Sequence, residues 1–97
     1  DITFIFVGDG DPENLTLKAH RSMQFAEAVY SEHALNPRFI EYIRRDATKH
    51  ELVNNRDFAQ PIHRAKQGEK IICLLLGHRQ TIKLDDDVNY QVIGSGS

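Results

Sequence analysis

Two short loops carry the residues whose types and spacing can do chemistry. The first is Gly8-Asp9-Gly10-Asp11-Pro12. Paired glycines let a ligand approach the backbone closely and permit φ values that other residues avoid. Asp11 suits a helix cap and Pro12 the first helical position, so the loop runs into free amides carrying partial positive charge. Such a loop often cradles a phosphate. Here Asp9, Asp11 and Glu13 put carboxylates where that phosphate would sit. The pattern is neither Gly-x-Gly-x-x-Gly nor a P-loop with its lysine. A ribose hydroxyl or another hydrogen-bond donor is a better guest, and the competing reading is a capped strand-to-helix turn. The second loop, Gly77-His78-Arg79, follows the apolar run Ile71 to Leu76. His78 is there a candidate general base, set against the plain reading of a loop histidine.

The other reactive residues read as structural. The chain has 5 histidines and 1 cysteine. No His-x-x-x-His or Cys-x-x-Cys occurs, so no metal site is expected. Cys73 lies inside an apolar run, where burial raises a thiol's pKa and keeps it inert. A single cysteine forms no intrachain disulfide and points to a reducing, cytoplasmic setting. Asp85-Asp86-Asp87 lacks the alternation of a calcium loop and reads as a solvated turn. Arg44-Arg45 reads as the cationic end of a helix, with Glu41 to Arg45 as an i,i+4 pair. Tyr30 and Tyr42 read as half-buried edge residues. A net charge of −2 offers no basic stripe for nucleic acid. No apolar run approaches the roughly 20 residues of a membrane span. Residues 1–7 lack the basic start and cleavage site of a signal peptide.

The elements that must hold these loops follow from periodicity. At 97 residues with 40% apolar content, one domain is expected. Ile2 to Val7 is β-branched and aromatic and predicts a buried strand. A helix follows, capped by Asp11 or by Thr16, with Leu15, Ala19, Met23 and Ala26 on its apolar face. Ala28-Val29-Tyr30 predicts a short strand. Asn36-Pro37 opens a second helix with Phe39, Ile40, Ile43 and Ala47 inward. Glu51-Leu52-Val53 predicts a weak third strand, and Asn54-Asn55 a turn. Asp57 caps a third helix with Phe58, Ile62 and Ala65 inward, starting near Gln60 because of Pro61. Gly68 stops it. Lys70 to Leu76 is apolar on both faces, as at the centre of a parallel sheet. Val88 to Ile93 predicts a last strand, and Gly94 to Ser97 has the composition of a linker tail. Strands alternating with helices imply a three-layer α/β/α domain with a mostly parallel sheet of four or five strands. Ligands of such sheets bind beyond the carboxyl ends of the strands, where strand order reverses.

Val7-Gly8-Asp9-Gly10-Asp11-Pro12 with Leu15-Thr16-Leu17-Lys18-Ala19 resembles the opening signature of the tetrapyrrole methylase family, the uroporphyrinogen-III and precorrin methyltransferases. Further segments match in order. They are Phe25 to Tyr30, Leu35-Asn36-Pro37, Gln67 to Leu74 and Asn89 to Gly94. The likeness spans the chain, and its first block is the specific one. The sequence also departs from the family. The first loop is shorter and lacks the proline between its glycines. Gly77-His78-Arg79 stands where the family has glycine-aspartate-proline. Only residues 79–88 replace a helix before the last strand. The resemblance implies a shortened N-terminal domain, incomplete and inactive alone. It implies S-adenosylmethionine as cofactor, with Gly8, Gly10, Asp11, Pro12, Gly77 and His78 facing it. It implies as partner a missing C-terminal domain or a second copy of the chain. The alternative is an engineered or truncated α/β subdomain with neither ligand nor catalytic function.

Overall fold

In the computed structural model, residues 1–8, 11–52 and 56–94 are described. Five strands form one sheet: β1 (Ile2–Phe6), β2 (Ala28–Ser31), β3 (Thr48–Glu51), β4 (Ile71–Leu75) and β5 (Tyr90–Gly94), in the order β3-β2-β4-β1-β5. Every pairing is parallel. β1 and β4 lie inside the sheet and are buried along their whole length, which is why both are continuous apolar runs. Their register sets Ile2 beside Ile71 and Phe6 beside Leu75.

Side chains alternate across the sheet and build two separate cores. One face gathers Ile5, Val7, Val29, Ile72, Leu74 and Ile93 under helix α1 (Leu17–Gln24), through Ala19 and Met23, and under Phe39. The other gathers Ile2, Phe4, Phe6, Tyr30, Cys73 and Leu75 under helix α2 (Ala59–Lys66), through Ala65, with Phe58 and Ile62 packed alongside. Phe58 meets Phe4 edge to face at 4.9 Å. Each fully buried Phe or Ile contributes about 1.5–3 kcal/mol of transfer free energy. The three-layer α/β/α architecture is therefore present with five strands.

Both expected caps at the first helix are used. Asp11 accepts from Glu13 N–H at 3.0 Å and opens a 3-10 turn (Pro12–Asn14), and Thr16 accepts from Ala19 N–H at 3.1 Å and opens α1. Gly68 takes φ 95° and ends α2. α2 begins at Ala59 rather than Gln60 and takes Pro61 within its first turn, where a missing donor costs nothing.

Several expectations are corrected. The segment after Asn36 is a 3-10 helix (Pro37–Tyr42) that buries Phe39 but leaves Ile40 exposed rather than inward, and it is too short to present Ala47, which is buried just ahead of β3 instead. Arg44 and Arg45 therefore end no α-helix, and Arg44 pairs with Asp46 at 3.4 Å. The third strand is Thr48–Glu51, three residues earlier than read, and of the expected strand Val53 lies outside the described residues. Asn54-Asn55, Asp9, Gly10 and Ser95 to Ser97 lie outside them too. β5 starts at Tyr90, while Val88 is buried ahead of it. Tyr30 is buried, not half-buried, and stacks on His50 at 4.7 Å.

Candidate functional site

The strand order places a switch point between β1 and β4. The chain leaves β1 toward the α1 face and leaves β4 toward the α2 face, where Ile82, Leu84 and Val88 pack. The two loops singled out in the sequence meet there. Gly8 N–H donates to the Gly77 carbonyl at 3.0 Å, and Gly77 N–H donates to the Gly8 carbonyl at 2.8 Å. Gly8 has φ 62° and Gly77 φ 96°. A β-carbon placed on Gly77 would meet nothing within 4 Å. The glycine is thus required by its backbone angle and not by crowding, and the space before it is open.

Of the predicted site residues, Gly8 and Gly77 come together, while Asp11 and Pro12 stand at the start of the 3-10 turn beyond β1. Glu13 reaches Arg38 at 3.9 Å across that turn. Gly10 lies outside the described residues. His78 is exposed, and among the described residues no group hydrogen-bonds to it. Nothing there selects its tautomer or aims it, as a general base needs.

Sequence reasoning missed two residues at this end of the sheet. Glu32 follows β2, and Arg56 lies in the connection from β3 to α2. Glu32 Oε1 accepts from Leu76 N–H at 2.7 Å and from Arg56 Nη2 at 3.1 Å. Arg56 Nη2 also donates to the Leu76 carbonyl at 2.7 Å, and its guanidinium lies 5.6 Å from the centre of the Phe6 ring. The two side chains are 22% and 29% exposed, so this pair is shielded more than an ordinary surface bridge. No periodicity or motif marks either residue. The only sequence signal was position: Glu32 comes directly after a strand's carboxyl end.

Elsewhere the reactive groups are structural. Arg64 binds both oxygens of Glu69 at 2.8 and 2.7 Å, and that pairing holds the Glu69 carboxyl below its ordinary range. Burial pushes the Cys73 thiol well above its ordinary value. Among the described residues no cluster of His, Cys, Asp and Glu could hold a metal, and no helix is long and apolar enough to cross a membrane. A cleft of about 390 Å³ does open at the amino ends of β1, β4 and β5, lined by Phe25, Lys70 and Tyr90 among others. It lies at the opposite end of the sheet from the glycine pair, and ligands of parallel sheets bind at the carboxyl end.

No model of a known protein family matches the chain. It is 30% identical over 83 residues to a siroheme synthase of Gluconobacter oxydans, covering 76% of this chain and 18% of that protein. It is 34% identical over 85 residues to a uroporphyrinogen-III C-methyltransferase of Cyanidium caldarium, covering 75% and 33%. The fold matches the crystal structure of the uroporphyrin-III-C-methyltransferase from Thermus thermophilus with a TM-score of 0.72 at 19% identity, over 97% of this chain and 47% of that one. These likenesses place the chain among the homologues of the tetrapyrrole methylases. The relatives it resembles are siroheme synthases and uroporphyrinogen-III C-methyltransferases, and it matches only part of each. The chain spans 18% and 33% of the length of the two curated relatives.

Proposed function

We propose that the chain is the cofactor-facing N-terminal part of a methyltransferase domain that uses S-adenosylmethionine on a tetrapyrrole, and that it does not complete the transfer alone. The observation that carries this reading is the pairing of Gly8 with Gly77 at the switch point, in a chain whose homologues are methyltransferases. The residues present suit such a cofactor. Its ribose hydroxyls and ammonium are donors, and a loop whose sequence carries carboxylates suits a donor better than a phosphate. The open space before Gly77 lets a ligand reach the main chain.

Gly8, Gly10 and Gly77 would admit the ligand to the backbone, Asp11 and Pro12 would hold the turn against it, and His78 would stand at its exposed side. When bound, the cofactor supplies an electrophilic methyl group. The protein's part is to align donor and acceptor and to exclude water. The two loops would form one wall, and a second wall would be needed to close a cleft. A C-terminal domain or a second copy of this chain would provide it. A cytoplasmic setting suits the buried free thiol.

The test is thermal unfolding with S-adenosylmethionine and S-adenosylhomocysteine up to millimolar concentration. Ligand at about 100 times its dissociation constant adds roughly 2.7 kcal/mol, which moves the midpoint of a domain this size by ten degrees or more. Such a shift is the expected result. No shift with either ligand would remove the cofactor and leave a truncated α/β subdomain whose role is not to bind it.

A further inference from the structure

We propose that Glu32 and Arg56 are positioning residues that hold the Leu76-Gly77 turn in the shape the cofactor meets. This rests on the functional reading above. The observation is a gap in the sheet's hydrogen bonding. β2 ends at Ser31, and the last main-chain bond on that side of β4 runs from Glu32 N–H to the Leu74 carbonyl at 3.3 Å. The next groups facing that side are the N–H and carbonyl of Leu76, and no strand remains to pair with them. A main-chain group left unpaired away from water is costly, and Leu76 is half-buried.

Two side chains take the strand's place. The Glu32 carboxylate accepts the Leu76 N–H, and the Arg56 guanidinium donates to the Leu76 carbonyl. The two side chains also bind each other, so the three groups close a triangle. Phe6, at the end of β1, lies under the guanidinium and fixes its height above the sheet. On the other side of β4, Val7 N–H donates to the Leu75 carbonyl at 2.8 Å, and the next contact is the reciprocal bond between Gly8 and Gly77. Leu76 is thus held from the β2 side by charged side chains, and Gly77 from the β1 side by a glycine. With both flanks fixed, Gly77 has little freedom to leave φ 96°. The clasp is charge-assisted, and so stronger per bond than the neutral ladder it extends. It also ties the connection after β3 to the loop after β4, two segments that no strand pairing joins.

The experiment uses the whole chain and two readouts. Amide exchange by NMR follows Leu76, Gly77 and Gly8, with Phe4, Ile5 and Cys73 as internal references. Titration with S-adenosylhomocysteine gives affinity. Glu32→Gln keeps an acceptor oxygen but removes the charge. Arg56→Lys keeps the charge but cannot reach both partners with one planar group. Each variant should speed exchange at the three loop amides about tenfold and leave the reference amides within about twofold. The double variant should be no faster than the faster single one, because either change opens the same triangle. Affinity for S-adenosylhomocysteine should fall about tenfold in each variant. Unchanged loop exchange, or equal acceleration everywhere, would overturn the clasp. Faster loop exchange with unaltered affinity would overturn the positioning role. A wild type that binds no S-adenosylhomocysteine would instead refute the functional reading, and the exchange pattern would still decide whether the clasp exists.

Discussion

Two glycines in this chain form a matched pair, and substituting each with alanine separates backbone strain from ligand contact. Gly68 ends α2 at φ 95° and Gly77 follows β4 at φ 96°. A β-carbon on either would touch nothing within 4 Å, so no steric clash is added at either position. The cost is then the backbone cost alone, roughly 1–2 kcal/mol for an L-residue held at positive φ. In a domain of this length each kcal/mol lowers the melting midpoint by about 4–8 °C. Gly68→Ala and Gly77→Ala should therefore lose the same stability, within about 0.5 kcal/mol, when unfolded with urea and followed by circular dichroism. They should differ in binding. Gly68→Ala should keep its affinity for S-adenosylhomocysteine. Gly77→Ala should lose about tenfold or more, because its methyl group stands in the space a ligand must use. A cost at Gly77 of only a few tenths of a kcal/mol would show that this turn does not need positive φ. Equal stability loss with equal affinity would show that Gly77 is not part of a ligand wall.

Two further outcomes are expected. Arg64 holds the Glu69 carboxyl below its ordinary value of 4.5, so the pair stabilises fully above that pH and its contribution fades as pH falls through the lowered value. The urea midpoint of the wild type should then drop more steeply below about pH 4.5 than that of Glu69→Gln, and identical profiles would mean the pair contributes nothing to folding. Cys73 is fully buried with its thiol pushed well up, so native protein at pH 8 should resist iodoacetamide while urea-unfolded protein reacts completely, as read by mass spectrometry. Stoichiometric alkylation of the native chain within minutes would place Cys73 outside the core.

The inner strands were legible because burial on both faces leaves only one kind of residue usable. Ile2 to Phe6 and Ile71 to Leu75 are apolar at nearly every position, and any reading of their periodicity finds them. The caps at Asp11, Thr16 and Asn36 were legible for a local reason: each side chain bonds an amide two or three residues on. The edge strand β3 was misplaced because Thr48 to Glu51 is mostly exposed, and its place is set by pairing with β2 rather than by its own composition. The helix expected after Asn36 is 3-10 and buries Phe39 in the core on the α1 side, an outcome set by tertiary packing that propensity does not encode. At the candidate site, the sequence by itself marked both glycine loops and their likeness to a methylase. Only the tertiary structure brought Gly8 against Gly77, far apart in sequence, by seating β4 between β1 and β2. It alone revealed Glu32 and Arg56, since the need they meet is an unpaired Leu76 main chain. That need exists only once the sheet is assembled and β2 has ended one position too soon.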